Sequence, residues 1–273
     1  LKNLAGVVEG SARKDEYVLV SAHYDHLPAQ QGRIFPGADD NASGVALLLE
    51  LAAYYSKQRP ERSIVFIAFD GEEEGRLGSR HFVKNLGEGI LGKINANINL
   101  DSVGRLEGGK ILFLNSGSSD KWVHILRGAG FVTGMDYEAS RTDLDASDQA
   151  SFIEAGVPAV QVLGGISPDY HKATDTADKI DYPGMVREGE FLKEIIDYLA
   201  GDSDPLTRPA LFPGAGQRAG QAPQILPGER KASTGLVPSF EWQGKGVRAD
   251  SVTPGSPLDA AGFRAGDVII KIN

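Results

Sequence analysis

The amino-acid sequence predicts an α/β fold, a mixed and mostly parallel central sheet with helices on both faces. Two patterns carry this expectation. Short runs rich in β-branched and aromatic residues alternate along residues 1–200 with segments whose apolar positions recur at helical spacing. The residues able to do chemistry gather where the strand-like runs end, and open α/β sheets bind their ligands beyond the carboxyl ends of their strands.

The elements follow in order. Residues 17–22 read as a buried strand, and 42–57 as a helix with Asn41 or Ser43 as its cap. Residues 63–69 form a second strand and 79–85 a short helix. Strands at 94–100 and 110–114, helices at 120–127 and 148–155, a strand at 158–163 and a closing helix at 184–199 complete the pattern. From residue 201 the periodicity stops. Residues 201–232 hold five Pro and five Gly and read as a linker, with a long surface loop as the other possibility. The expected organisation is therefore 1–200, a linker at 201–232, and a further segment at 233–273.

Composition limits the function. The chain has 273 residues, 41% hydrophobic and 24% charged, enough for one large domain or one plus a fragment, and unlike a disordered or fibrous chain. No apolar run approaches the ~20 residues of a membrane span. A net charge of −9 repels phosphate backbones and argues against nucleic acid as a partner. With no cysteine there are no disulfides, thiolate nucleophiles or Cys-based zinc sites. Any metal must be held by His and carboxylates. The chain begins at Leu1 without a charged-then-apolar leader, as expected of a mature or trimmed protein.

The candidate site collects at the strand ends. The first strand runs into His23, Tyr24 and Asp25, the second into Asp70, Gly71, Glu72 and Glu73, and a third into Asp101; Asp169, Tyr170 and His171 follow the last strand. The loop 37–44 adds Asp39 and Asp40. In an extended segment His23 and Asp25 share a face, which suits a metal-bound His backed by a carboxylate. Each feature alone has an ordinary reading: a surface His near an Asp, a solvated charge run, a capping Asp. Together, His23, Asp40, Glu73, Asp101 and His171 supply the ligands that two divalent ions sharing one carboxylate need. The donors suit Zn²⁺, Co²⁺ or Mn²⁺. Glu72 is left over as the general base. His26 is a candidate for a supporting position, whereas His81, His124, Trp122 and Trp242 read as ordinary surface or packing residues.

The segments AHYDH (22–26), GADDNASG (37–44), AFDGEEEGRLGS (68–79), NLDSVG (99–104) and DYHKATDTADKI (169–180) resemble the co-catalytic dizinc aminopeptidase family, which includes bacterial leucyl aminopeptidase and aminopeptidase Y. The likeness covers roughly residues 3–200 and implies the zinc exopeptidase fold. It implies two zinc ions, His23, Asp101, Glu73 and His171 as ligands, Asp40 as the bridge, and Asp25 orienting His23. It also implies Glu72 as base to a metal-bridged hydroxide, Tyr170 stabilising the oxyanion, and peptides with free N-termini as substrates. One departure is Gln149, where the family usually has His, close to the expected substrate pocket. A carboxypeptidase using Arg76, Arg105 or Arg141, a glutaminyl cyclase-like relative and a non-catalytic binding module are the alternatives. The amidohydrolases with a lid domain fit less well, because the stretch from Asp101 to His171 is too short for the lid.

The segments GLVPSF (235–240) and TPGSPLDAAGFRAGDVIIKIN (253–273) resemble part of a bacterial-type PDZ domain, lacking the helix that lines its groove. That likeness implies a C-terminal peptide as a possible ligand of a longer chain. Peptidases with such appendages imply export from a bacterium, to the periplasm or beyond.

Overall fold

Parallel strands need crossover connections, and this chain supplies helices for them. A computed structural model describes residues 1–30, 32–106, 109–165, 167–201, 204–208, 234–239, 242 and 244–271. The chain divides into two compact units, Leu1–Gln221 and Ala222–Asn273.

The first unit holds the strands β1 (Leu4–Val8), β2 (Arg13–His23), β3 (Arg62–Phe69), β4 (Ile94–Leu100), β5 (Ile111–Leu114), β6 (Tyr137–Ala139) and β7 (Ala159–Leu163). They form one sheet in the order β1-β3-β2-β4-β7-β5-β6. The pairs β2–β3, β2–β4, β4–β7 and β5–β6 are parallel, and β1–β3 and β5–β7 are antiparallel. The expected mixed, mostly parallel sheet is therefore present. Its helices are α1 (Gly44–Tyr55), α2 (Leu77–Leu91), α3 (Trp122–Thr133), α4 (Gln149–Glu154) and α5 (Tyr182–Gly201).

Strand alternation divides the core in two. Val18, Val20 and Ala22 pack with Leu48 and Leu51 of α1, Trp122 and Leu126 of α3, and Phe191 and Ile195 of α5. Leu19, Ile67 and Phe69 pack with Val83 of α2 and Phe152 of α4. Helices thus cover both faces. Filling either cluster buries large side chains whose loss would cost ~2–5 kcal/mol each.

Several details differ from the sequence expectation, among them the unexpected short strand β6 and the extension of the helix expected at 79–85 to Leu77–Leu91. The edge strand β1 lacks a patterned signal because four of its five residues face solvent. The helix expected at 120–127 runs on to Thr133 through Gly128 and Gly130. Glycine disfavours helix, but a Cβ on Gly130 would meet the Tyr137 ring at 3.1 Å, so close packing retains it. The first residues of the expected linker belong to the first unit: Leu206 is buried and donates its amide to Asn95 Oδ1 (2.7 Å). Most of the remaining linker lies outside the described residues.

The second unit contains β8 (Leu236–Pro238), β9 (Val247–Val252), a short helix α6 (Pro257–Ala260) capped by Ser256, and β10 (Val268–Ile269). Its three strands pair antiparallel in the order β10-β9-β8. Among the described residues no helix is long and apolar enough to cross a membrane.

Candidate metal centre

The register of two neighbouring strands sets the first half of the site. Ser21 of β2 stands opposite Asn99 of β4, and the Ser21 hydroxyl donates to Asn99 Oδ1 at 2.8 Å. Two residues further along each strand, on the same face, come His23 and Asp101. Their side chains therefore lie abreast at the carboxyl ends, with His23 Nε2 to Asp101 Oδ1 at 3.5 Å. His23 Nδ1 lies 3.1 Å from the main-chain oxygen of Asp25. With Nδ1–H donating to that carbonyl, Nε2 is the ring nitrogen that faces the carboxylates.

Asp40 joins the two halves. It lies in a tight wound turn, Ala38–Ser43, whose Asp40–Asn41 peptide bond is cis. The turn is pinned to the end of β4, where Asn41 Nδ2 donates to the Leu100 carbonyl (2.9 Å) and Asn41 Oδ1 accepts the Ser102 amide (3.2 Å). Asp175 accepts the amides of Asp39 and Asp40 at 3.0–3.1 Å. Held in this way, Asp40 Oδ1 faces His23 Nε2 at 3.4 Å, and Asp40 Oδ2 faces His171 Nε2 at 3.0 Å.

The second half forms around Oδ2. Glu73 Oε1 lies 3.3 Å from His171 Nε2 and 3.0 Å from His26 Nδ1. Two groups of potential metal-donor atoms, each within 4.8 Å, result: His23 with Asp40 and Asp101, and His26 with Asp40 and Glu73. All five ligands expected from the sequence come together. His26 joins them closely, and its spacing in the sequence did not separate it from an ordinary second-layer histidine.

The donor set fits divalent cations. Its donors are imidazole nitrogens and carboxylate oxygens, and its charge is strongly negative. Burial works against a charged His23, yet its bonds to Asp101 and Asp40 prevail and raise its pKa well above the usual range. His171 is raised to about 9 by Asp40 and Glu73, again against burial. Glu73 falls to about 2: burial opposes the shift, and hydrogen bonds from His171 and His26 outweigh it. The cluster thus stabilises positive charge wherever it is placed.

Glu72 differs. Burial pushes it well above the usual carboxylate range, Asp101, Asp148 and Glu73 add to that, and His23 counteracts. Tyr170 stacks on His171 with ring centroids 3.9 Å apart. Its phenol pKa is raised by desolvation and by Asp40, Asp101, Glu73 and Glu72, so it keeps its proton. Asp25 lies 3.7 Å from His23 Nδ1 through Oδ1, but its carboxylate makes its hydrogen bonds to the amides of Glu72 and Glu73.

Gln149, the departure noted in the sequence, is fully buried. Its Nε2 donates to Asn115 Oδ1 (3.1 Å) and Gln161 Oε1 (3.3 Å), and Gln161 Nε2 donates to Asp101 Oδ2 (3.3 Å). Gln149 acts on Asp101 through Gln161.

The family model for peptidase family M28 matches residues 3–196. The chain belongs to peptidase family M28. Among M28 relatives it is similar to aminopeptidase YwaD of Bacillus subtilis, 32% identical over 201 residues, covering 70% of this chain and 43% of that protein. A probable leucine aminopeptidase of Arthroderma otae is 30% identical over 206 residues, covering 70% of this chain and 55% of that protein. The solved structure of BSAP, a zinc aminopeptidase from Bacillus subtilis, superposes with a TM-score of 0.66 at 28% identity, over 74% of this chain and 51% of that one. The chain spans about half the length of these relatives.

Proposed function

We propose that this chain is the catalytic part of a zinc aminopeptidase with two metal positions sharing Asp40. The observation that carries this reading is the division of labour within one carboxylate: Asp40 Oδ1 faces His23 beside Asp101, and Oδ2 faces His171 beside Glu73. The names of the M28 relatives supply zinc and the aminopeptidase reaction.

When bound, the ions supply Lewis acidity that activates water near neutral pH and polarises a carbonyl. His23 and Asp101 would hold one ion, His171 and Glu73 the other, and Asp40 both. The Glu72 carboxylate takes a proton from the attacking water and passes it to the leaving amine nitrogen. Its raised proton affinity suits a group that must both accept and return a proton. The protonated Tyr170 hydroxyl donates to the oxygen that gains charge in the transition state. Asp25 holds the Glu72–Glu73 turn through its main-chain amides.

A carboxypeptidase needs a basic side chain for the substrate carboxylate, and the three candidate arginines already face carboxylates. Arg76 pairs with Asp145 and Glu154, Arg105 with Asp169 and Asp175, and Arg141 with Asp120.

In the same proposal the second unit is part of a PDZ-type module that captures a C-terminal peptide by strand addition, and the whole protein is exported from a bacterial cell. Pull-down of C-terminal peptides by a longer chain tests the capture, and retention of none would count against it.

Mass spectrometry of a mixed peptide set, free and N-acetylated, with and without chelator, tests the activity. Stepwise loss from free N-termini alone, abolished by chelation, is expected. Loss from C-termini, or loss of ammonia confined to N-terminal Gln, would overturn it.

A further inference from the structure

We infer that Arg105 is a positioning residue that ties the loop carrying His171 to the turn carrying Asp40, so that the second metal position depends on it. The inference rests on the two-position reading above and deepens it.

Arg105 sits four residues after Asp101 and is largely buried, its side chain 12% exposed. Its planar fork reaches two ways. One terminal nitrogen donates to Ser167 Oγ (2.6 Å) and Asp169 Oδ2 (2.7 Å), in the loop that leads into His171. The other donates to Asp175 Oδ1 (2.9 Å), which lies beyond His171 in the same loop and accepts the amides of Asp39 and Asp40. Its Nε lies 4.0 Å from Asp39 Oδ2. One guanidinium therefore spans the supports of both residues whose side chains meet at 3.0 Å, His171 Nε2 and Asp40 Oδ2.

The two loops depend on this link unequally. The Asp40 turn has anchors that bypass Arg105: Asn41 on Leu100 and Ser102, and the Gly104 amide on Asp39 Oδ1 at 2.7 Å. In the His171 loop, Asp175 reaches that turn directly, whereas the segment before His171, with Ser167 and Asp169, joins this link through Arg105. His171 itself adopts a left-handed backbone, φ 56°, which a non-glycine residue keeps only when its surroundings hold it. Lys179 and Thr174 also bind Asp169, but both belong to the segment that follows His171. Only a fork with donors at two ends spans the gap, and an ammonium does not reproduce it.

The test is cobalt binding followed by visible absorption in the wild-type chain and in Arg105→Met, Arg105→Lys and Asp169→Asn, with circular dichroism to verify folding. The expected result is two ions in the wild type. In Arg105→Met and Arg105→Lys the first ion binds as in wild type, and the second weakens by about 10–100-fold, the usual effect of losing a partner behind a metal ligand. Asp169→Asn, which removes the charge that Arg105 meets before His171 and leaves Asp175 in place, shows the same selective loss. Recovery of the second ion in Arg105→Lys would mean that charge alone matters and would overturn the bridging role. Equal weakening of both ions, or of neither, in folded variants would also overturn it. A wild-type chain that binds one ion would instead refute the two-position reading.

Discussion

Asp25 accepts the main-chain amide of Glu72 on one carboxylate oxygen (3.1 Å) and that of Glu73 on the other (3.2 Å). The same residue offers its carbonyl to His23 Nδ1 at 3.1 Å. A single residue thus contacts the ring of one proposed ligand and holds the turn that carries the proposed base and another proposed ligand. Asp25→Ala removes both carboxylate acceptors. It should lower kcat by about 10–100-fold through misplacement of Glu72, with the fold intact by circular dichroism. An unchanged kcat would show that the turn is held without Asp25.

Glu72 contacts the reacting atoms in this account but is not needed to hold the ions. Glu72→Gln keeps its size and loses its proton chemistry. Peptide hydrolysis should fall by about a hundred- to ten-thousand-fold while metal content, measured by elemental analysis, stays at the wild-type value. Parallel loss of metal and activity would reassign Glu72 as a ligand.

His26 shares Glu73 with His171, at 3.0 Å and 3.3 Å from the same oxygen. Replacing it with Leu should weaken the ion nearest Glu73, seen as an increased dissociation constant in calorimetry, and spare the ion at His23 and Asp101. Identical binding isotherms for the two proteins would confine His26 to packing.

Glu188 offers a test of stability away from the site. It is fully buried in α5, neither carboxylate oxygen has a hydrogen-bond partner among the described residues, and burial, with Asp39 and Asp181 nearby, raises its pKa well above 4.5. The unfolded chain releases this proton near its ordinary pKa while the folded chain keeps it, so stability contributed by the protonated form declines as pH rises above about 4.5. Glu188→Gln removes that decline. Its melting temperature should exceed wild type by about 2–6 °C near pH 8 and differ little near pH 4.5. An equal difference at both pH values would contradict the sign.

Most strands and the five candidate ligands were legible because each rests on a local pattern. Residues 17–22 are mostly apolar, and His23, Glu73 and Asp101 stand at or just beyond strand ends. Arg105 was visible only as a spare cation, because its partners Asp169 and Asp175 come from a loop more than sixty residues away. The contacts of His26 and Gln149 were not legible for a related reason. Spacing identifies neither the ring that shares Glu73 nor a fully buried amide that reaches Asp101 through Gln161. The edge strand β1 escaped because exposure on four of its five residues erases the apolar signal.

The most direct test of the shared carboxylate is native mass spectrometry of the zinc-loaded chain beside Asp40→Asn. The account predicts two ions per wild-type chain and loss of both from Asp40→Asn, since each position draws one oxygen from Asp40. A single ion in the wild type, retained in Asp40→Asn, would contradict it.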